Sequence, residues 1–348
     1  MVYLWYPTSQ KSAIAEGAYL PGAKQMDADA GAQAAMRDDH EANWPLIVSG
    51  AIHSHAVDNA AVAKTPARFP VLVLSPGLGG SGFGYTSLIE HLVSHGYVVA
   101  AIEHTGVAGA VVFPDGHIVL QHHDPSPAGL TPEERFKRMA ESAGAMITEG
   151  AADVRFVLDK LTALDKGESA PSPLAARLDL SRVAAMGHSA GAEFAARACQ
   201  LDARFKACVD LDGGMVPVSA LPDYADGATM KQPLLFLEAY HPGSKMFGTH
   251  EQQAAYFKKK EEQFKTCCPP GSYAVELRSP GIMHGSFSDD PLLAAADPTS
   301  ADVARHNLDL IEASIRSFLD LTLQGLRGTL FDVNANPVPG VTIRRIGH

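Results

Sequence analysis

The sequence predicts an α/β protein with a mostly parallel central sheet and helices on both faces, and two observations carry that prediction. Of the 348 residues, 46% are hydrophobic and 19% are charged, values typical of a globular chain. After Pro70, short runs that are apolar at every position alternate with segments of helical periodicity. Strands that are apolar on both faces are typical of parallel sheets buried between layers of helices.

The N-terminal part of the chain contains one predicted strand and then a long irregular stretch. The pattern of residues 2–6 indicates a strand, which Pro7 ends. Residues 10–67 are rich in Ala, Asp and His and show little periodicity. A compact domain keeps so long an irregular stretch mainly as a functional cover or an elaborate loop. We therefore interpret residues 10–67 as a candidate cover, or lid.

Strands and helices alternate through the rest of the chain. Predicted strands cover residues 71–74, 97–102, 183–186, 207–211, 234–237 and 273–277. Predicted helices cover residues 87–95, 149–164, 190–199 and about 251–265, with a closing helix that contains residues 308–319. Residues 107–148 are irregular and form a second candidate cover. We predict a single domain over residues 1–325 and a short, turn-rich tail over residues 326–348.

Composition also excludes several classes of protein. The net charge is −11, so the chain lacks the basic surface that neutralises nucleic-acid phosphates, and we expect no nucleic-acid partner. The longest apolar runs fall well short of the roughly 18 residues of a transmembrane helix, so we expect a soluble protein. Four cysteines are too few for a disulfide scaffold. Nothing in the composition determines the oligomeric state.

The first residues bear on the cellular compartment. They lack the basic and apolar regions of a signal peptide, and the chain opens inside the predicted first strand. We therefore expect a targeting segment upstream of this chain. The compartment stays open, with a lean towards a secreted or periplasmic protein.

A five-residue motif carries the strongest chemical signal. Residues 187–191 read Gly-His-Ser-Ala-Gly and stand between a predicted strand and an Ala-rich helix. This is the nucleophile elbow, a strained strand-to-helix turn that exposes a serine hydroxyl. The two glycines let the strand and helix backbones approach closely. The motif predicts that Ser189 is a nucleophile.

A serine hydroxyl needs a general base near neutral pH. In chains with such an elbow, the serine is followed first by the acid and then by the histidine. Five histidines follow the elbow: His241, His250, His284, His306 and His348. His284 lies in a Gly-containing loop beyond the predicted strand 273–277, where such a base belongs. We predict His284 as the base and keep His241 as the alternative. We interpret the other three as solvated surface residues, with His306 at the start of the closing helix.

The acid is expected at the carboxyl end of a strand between the serine and the histidine. Asp212 follows the predicted strand 207–211 directly. Asp210 lies two residues deeper, where an ionised carboxylate is costly without a partner, so we interpret it as a structural carboxylate bonded to backbone amides. Glu238, after the strand 234–237, is the alternative acid. We predict Asp212.

A tetrahedral oxyanion needs preorganised backbone N–H donors. One donor is expected from Ala190, the residue after the nucleophile, and the second from residues 75–80, which we call the oxyanion loop. Leu78 is the predicted donor in this loop, and Gly79 is the alternative. The glycines do not indicate a phosphate-binding loop, because the Lys-Ser/Thr ending of such loops is absent.

Taken together, these motifs resemble the plasma, lipoprotein-associated type of the platelet-activating-factor acetylhydrolase family of α/β-hydrolases. The similar passages are residues 4–7, 74–79, 92–104, 187–191, 209–215 and 283–284. The resemblance implies an α/β-hydrolase fold, Asp212 rather than Glu238 as the acid, and Leu78 and Ala190 as the oxyanion donors. At position 76 this chain has proline where the family frequently has histidine. In this respect the passage resembles bacterial polyester hydrolases and cutinases.

We therefore expect a serine carboxylester hydrolase that forms an acyl-enzyme and needs no cofactor. The resemblance implies short acyl groups or (phospho)lipid-like esters as substrates. The alternatives are a polyester- or cutinase-like enzyme, a general esterase or lipase, and an amidase or thioesterase with the same triad. The alternative of a different class is a non-catalytic binding protein on a hydrolase fold.

Further residues are candidates for the pocket or for a metal site. The candidate pocket residues are Gly79, Glu103, His104, His188, Met215 and Met283. The flexible thioether side chains of the two methionines suit an apolar pocket wall. Two His-rich passages, 53–55 and 122–124, offer side chains of the kind that bind metals. No third ligand can be placed for either passage, so we predict no metal site.

Overall fold

An eight-stranded sheet lies at the centre of the fold in this computed structural model. In spatial order its strands are β1 (Val2–Trp5), β5 (Val98–Ile102), β4 (Phe69–Ser75), β8 (Leu178–His188), β9 (Phe205–Leu211), β10 (Leu234–Ala239), β11 (Ser272–Leu277) and β12 (Val341–Ile346). The two edge strands, β1 and β12, run antiparallel to their neighbours, and the strands between them are parallel. The predicted α/β class with a mostly parallel sheet is confirmed.

The structure describes most of the chain. The described residues are 1–10, 17–40, 43–122, 131–213, 229–240, 268–328 and 338–346, together with the single residues 129, 251, 258, 262, 265, 330 and 331. Most of the helix predicted over 251–265 therefore lies outside the described residues.

Helices cover the sheet on both faces. On one face lie α5 (Pro132–Asp165) and α6 (Ala190–Leu201), and on the other lie α4 (Thr86–Ser94) and the closing helix α8 (Pro298–Gln324). Successive residues of β4 alternate between two cores: Val71 and Val73 pack with the α5 and α6 layer, Leu72 and Leu74 with the α4 and α8 layer. Because both faces are buried, β4 is apolar from Phe69 to Leu74, which makes its run recognisable in the sequence.

The prediction of irregular chain over residues 10–67 is wrong for the described part. Three short helices lie there, α1 (Ala23–Ala28), α2 (Ala30–His40) and α3 (Trp44–Ser49), with the strand pair β2 (Gly17–Ala18) and β3 (His53–Ser54). Their buried side chains include Met26 and Trp44 and form a third core with Phe83. Helices this short gain their stability from tertiary packing rather than from their own periodicity.

The prediction of irregular chain over residues 107–148 is also wrong in part. A hairpin of β6 (Ala110–Val112) and β7 (Ile118–Leu120) occupies its first half. Helix α5 begins at Pro132, well before the predicted start at residue 149. Thr131 caps this helix, and its side chain and that of Glu134 bond reciprocally to backbone amides in a capping box. That Thr-x-x-Glu signature was available in the sequence.

Two predictions for the C-terminal part are corrected. The predicted turn-rich tail contains β12, which pairs along its whole length with β11 and closes one edge of the sheet. Its strand pattern is faint because only one of its residues, Ile346, is buried. Helix α8 begins at Pro298, so His306 lies inside this helix and not at its start. A short helix, α7 (Asp290–Leu293), precedes it.

Candidate active site

Ser189 occupies a strained turn at the carboxyl edge of the sheet. Strand β8 ends at His188 and helix α6 begins at Ala190, and Ser189 between them has φ 54° and ψ −122°. Positive φ is uncommon for a residue other than glycine and stores strain of the kind found at functional sites. The Ser189 amide donates to the Leu211 carbonyl at 3.0 Å, which ties the turn to the end of β9.

The glycines of the motif are needed because backbones meet at the elbow. A Cβ at Gly187 would lie 2.0 Å from the Gly191 carbonyl oxygen. A Cβ at Gly191 would lie 2.2 Å from the carbonyl oxygen of Ser75, at the end of β4. Separations below 3 Å are clashes, so any larger residue at either position would push α6 away from the sheet. The close fit holds Ser189 between the ends of β4 and β9.

Asp212 follows β9 and lies close to two backbone groups of β10. Its amide donates to the Leu237 carbonyl at 2.8 Å, and its Oδ1 accepts from the Ala239 amide at 3.0 Å. Its Oδ2 lies 2.7 Å from Nδ1 of His284. These bonds orient both carboxylate oxygens, one towards the sheet and one towards the imidazole ring.

His284 begins a 3₁₀ turn, His284–Phe287, in the loop after β11. Its ring packs against that of His188, with centroids 4.6 Å apart. Because Nδ1 faces Asp212, Nε2 is the nitrogen available for proton transfer. Ser189 and His284 are both described, and no hydrogen bond joins the serine hydroxyl to the imidazole. Such bonds are often long without a bound substrate.

Asp210, interpreted as a structural carboxylate, and Glu238, the alternative acid, have other surroundings. Asp210 is fully buried, and its Oδ1 accepts from the Gly213 amide at 2.8 Å. Glu238 lies on β10 with its Oε1 3.5 Å from a guanidinium nitrogen of Arg344 on β12. The alternative base His241 lies outside the described residues, as do three further residues of the sequence predictions: Met215, His250 and His348.

The oxyanion loop lies directly against the elbow. A Cβ at Gly77 would be 3.4 Å from the Ser189 Cβ. The Gly79 amide donates to the Val107 carbonyl at 3.0 Å, so this alternative donor is already occupied. The Leu78 amide has no acceptor among the described residues. Ala190 is the first residue of α6, where an amide has no partner within the helix. The amides of both predicted donors therefore have no acceptor in the part of the chain that the structure describes.

Glu103 and His104, two of the candidate pocket residues, are buried and hydrogen-bond to residues at or just beyond the two ends of the oxyanion loop. Glu103 Oε1 accepts from the Ser81 hydroxyl at 3.0 Å and from the Gly82 amide at 2.7 Å, just beyond the loop. Burial raises the pKa of Glu103 to about 7. His104 Nε2 lies 3.0 Å from the Ser75 hydroxyl, at the start of the loop.

Two exposed apolar side chains flank the site. Leu78 is 56% exposed and Met283 is 54% exposed. One lies on the oxyanion loop and the other directly precedes His284, so both stand beside the groups described above. His188 is buried instead, and burial together with the charge of nearby His284 lowers its pKa to about 3. At neutral pH the His188 ring is uncharged.

Sequence reasoning missed two residues that contact this machinery. Asp153 of α5 lies 2.8 Å from Nδ1 of His104. Tyr85 lies with its hydroxyl 2.7 Å from Nδ1 of His188. Neither residue belongs to a motif, since a lone Asp or Tyr on a helix carries no chemical signal. Only the three-dimensional contacts reveal them.

The described ranges contain no helix long and apolar enough to cross a membrane. Nor do three or more metal-binding side chains converge within that part of the chain. Of the two His-rich passages, His55 lies 2.8 Å from Glu90, whereas residues 123 and 124 are outside the described ranges.

Comparison with known proteins finds similar chains among acetylhydrolases. The family model for platelet-activating factor acetylhydrolase, isoform II, matches residues 1–117 and 147–296. The chain is 24% identical to the platelet-activating factor acetylhydrolase of Canis lupus familiaris over 236 residues, 65% of this chain and 49% of that protein. It is 27% identical to the one of Cavia porcellus over 246 residues, 65% of this chain and 50% of that protein. The chain thus spans about half the length of the curated relatives it matches.

Two further comparisons match proteins named as esterases, one by sequence and one by structure. A probable 1-alkyl-2-acetylglycerophosphocholine esterase of Arthroderma benhamiae is 23% identical over 250 residues, 71% of this chain and 55% of that protein. Among solved structures, the ferulic acid esterase from Streptomyces cinnamoneus superposes with a TM-score of 0.69 at 26% identity, covering 99% of this chain and 88% of that one. The α/β-hydrolase type of fold is therefore common to this chain and an esterase.

Proposed function

This chain belongs to the platelet-activating factor acetylhydrolase isoform II family, and on that premise we propose that it is a serine carboxylester hydrolase. The observation that carries the proposal is the 2.7 Å contact between Asp212 Oδ2 and His284 Nδ1, beside the strained turn at Ser189. An oriented carboxylate and imidazole near a half-buried serine form the arrangement that activates a hydroxyl.

In the first half of the reaction, the Ser189 hydroxyl attacks the ester carbonyl carbon. His284 Nε2 accepts the hydroxyl proton as the new C–O bond forms, and Asp212 stabilises the imidazolium. The carbonyl oxygen gains the negative charge, and the amides of Leu78 and Ala190 donate to it. Collapse of this intermediate breaks the bond to the alcohol, which leaves with the proton from His284. Ser189 then carries the acyl group.

In the second half, water replaces the alcohol. His284 Nε2 takes a proton from the water as its oxygen attacks the acyl carbon, and the same two amides stabilise the second oxyanion. Collapse releases the carboxylic acid and returns the proton to Ser189. Side chains and water carry every proton in this scheme, so the proposal includes no cofactor.

For the substrate, we propose short-chain acyl esters or lipid-like esters with an apolar part. The exposed side chains of Leu78 and Met283 offer that part an apolar rim beside Ser189. The relatives named as acetylhydrolases favour an acetyl group, whereas the ferulic acid esterase favours a bulky aromatic acyl group. Polyesters, longer acyl esters, amides and thioesters are alternatives that the same triad would serve.

The test is hydrolysis of p-nitrophenyl esters from acetate to laurate, and of methyl ferulate, by the wild type and by Ser189→Ala. We expect turnover that requires Ser189 and peaks at acetate or butyrate. A peak at laurate points to a lipase-like site, and a preference for methyl ferulate to an aromatic acyl pocket. Folded wild-type protein with no Ser189-dependent turnover of any ester would overturn the proposal and favour amides, thioesters or a non-catalytic binding protein.

A further inference from the structure

We propose that the Tyr85 hydroxyl is a positioning group that holds the oxyanion loop at the correct distance from the nucleophile. This inference rests on the proposed function, since it assigns a role within the same reaction. Tyr85 ends the 3₁₀ turn Gly82–Tyr85 and is only 3% exposed. Its hydroxyl oxygen lies 3.1 Å from the Gly77 amide nitrogen and 2.7 Å from His188 Nδ1. One buried hydroxyl thereby joins the loop to the elbow.

The direction of both hydrogen bonds follows from the protonation of the groups. The Gly77 N–H can only donate, so the Tyr85 oxygen accepts from it. Burial raises the pKa of Tyr85 well above its usual range, which keeps the phenol protonated. Burial also keeps His188 uncharged, so its Nδ1 accepts a hydrogen bond from the phenol O–H, and the proton of the ring resides on Nε2. The bonds therefore run in one direction, from Gly77 through Tyr85 to His188.

The two residues joined by Tyr85 each precede a group of the proposed reaction. Gly77 precedes Leu78, whose amide is a proposed oxyanion donor, and His188 precedes Ser189. A donor stabilises the oxyanion only when it lies about 2.7–3.1 Å from the position of the charged oxygen. The separation between Leu78 and Ser189 must be held to within a few tenths of an ångström, and Tyr85 spans that separation.

Other contacts hold the two ends of the loop and explain why the loss of Tyr85's hydroxyl would act locally. The Ser75 hydroxyl is bonded to His104 at 3.0 Å, and the Gly79 amide to the Val107 carbonyl at 3.0 Å. Among the described side chains, Tyr85 is the one that bonds to the backbone between these two anchors. Without its hydroxyl, the middle of the loop loses its lateral restraint while the chain on either side stays attached.

The test is Tyr85→Phe, which keeps the buried ring and removes only the hydroxyl. We expect kcat for p-nitrophenyl acetate to fall about 10- to 100-fold, with KM within about twofold. The reason is that the variant stabilises the charged intermediate less well but binds the neutral substrate as before. A boronic acid that forms a tetrahedral adduct with a serine hydroxyl is the second probe. Its inhibition constant should rise by the same factor as kcat/KM falls, since the adduct's anionic oxygen uses the same amides.

Tyr97→Phe is the matched control. Tyr97 is also buried, and its hydroxyl lies 2.7 Å from Asp320 Oδ1, away from the elbow. We expect this variant to have a lower melting temperature than the wild type, while its kcat and its affinity for the boronic acid stay at the wild-type values.

Two outcomes would overturn the proposal, and they differ from a failure of the proposed function. Unchanged kcat and boronic acid affinity in Tyr85→Phe would remove the positioning role, as would changes no greater than those of Tyr97→Phe. Either result leaves the esterase assignment standing, provided that wild-type turnover requires Ser189. If wild-type protein shows no Ser189-dependent turnover, the function and the positioning role fall together.

Discussion

The carboxylate of Asp212 forms a hydrogen bond with the imidazole ring of His284 at the carboxyl edge of the sheet. The two residues are 72 positions apart in the chain, yet Oδ2 and Nδ1 are 2.7 Å apart. The other carboxylate oxygen accepts from the Ala239 amide of β10, so the sheet itself orients the acid. The orientation of Asp212 and His284 in the proposed triad therefore depends on β9 and β10 being neighbours in the sheet.

Asp212→Asn should reduce kcat/KM by about 10⁴, because an amide favours the wrong tautomer of His284. The matched variant is Glu238→Gln, which alters the alternative acid near Arg344. Steady-state hydrolysis of p-nitrophenyl acetate measures both, and Glu238→Gln should stay within about twofold of the wild type, as for a substitution outside the site. A larger loss for Glu238→Gln than for Asp212→Asn would move the acid to β10.

Ser189→Ala should reduce kcat by about 10⁴- to 10⁶-fold while the fold is kept. A fluorophosphonate should add covalently to the wild type and leave Ser189→Ala unmodified, as read by intact-protein mass spectrometry. Ser94→Ala is the control, because its hydroxyl is exposed on α4 and bonds to the carbonyl of His91. Labelling of Ser189→Ala at wild-type rate would show that another residue is the nucleophile.

Gly191→Ala should abolish activity and destabilise the protein, since its Cβ would lie 2.2 Å from the Ser75 carbonyl oxygen. Relief of that clash requires α6 to shift, at a cost of about 1–3 kcal/mol or more. Gly84→Ala is the control, because a Cβ there would meet nothing within 4 Å. Thermal melting and ester hydrolysis are the measurements. Equal melting temperatures for the two variants would contradict the close fit at the elbow.

Glu103→Gln should change how stability depends on pH. The folded-state pKa of Glu103 is raised by burial from 4.5 to about 7, so the stabilising effect of the protonated form is complete below pH 4.5 and is lost as the pH rises through about 7. Glutamine stays neutral throughout. Relative to the wild type, Glu103→Gln should therefore gain stability as the pH rises, by about 3 kcal/mol at most. Urea unfolding at pH 4, 5.5, 7 and 8.5 measures this, and a difference independent of pH would contradict it.

Leu78→Ser should lower kcat/KM for long acyl esters more than for acetate. The exposed leucine offers apolar contact to a longer chain, and loss of that contact costs about 1 kcal/mol, or roughly fivefold. Leu326→Ser is the control, because Leu326 is equally exposed, at 55%, just beyond the end of α8. The p-nitrophenyl ester series measures both variants. An equal decrease in kcat/KM for the acetate and laurate esters would show that Leu78 does not take part in acyl-chain recognition.

Much of the fold could be predicted where burial is complete on both faces. Strand β4 is apolar from Phe69 to Leu74 because two cores share it, so its run stands out in the sequence. The short helices α1 to α3 and the edge strand β12 were missed for the opposite reason. They are stabilised by packing on one side only, and their periodicity is too brief or too weak to exceed that of a loop.

The sequence by itself determined the nucleophile candidate, because the elbow is a local structure. Two glycines, a serine and the flanking strand and helix patterns lie within adjacent residues, so the backbone strain at Ser189 can be read without knowing the fold. Tertiary structure alone decided which partners reach it. Tyr85 meets His188 across 103 residues, and His284 meets Asp212 across 72 residues. Such contacts depend on the order in which parallel strands join the sheet, and that order is set by packing over the whole domain.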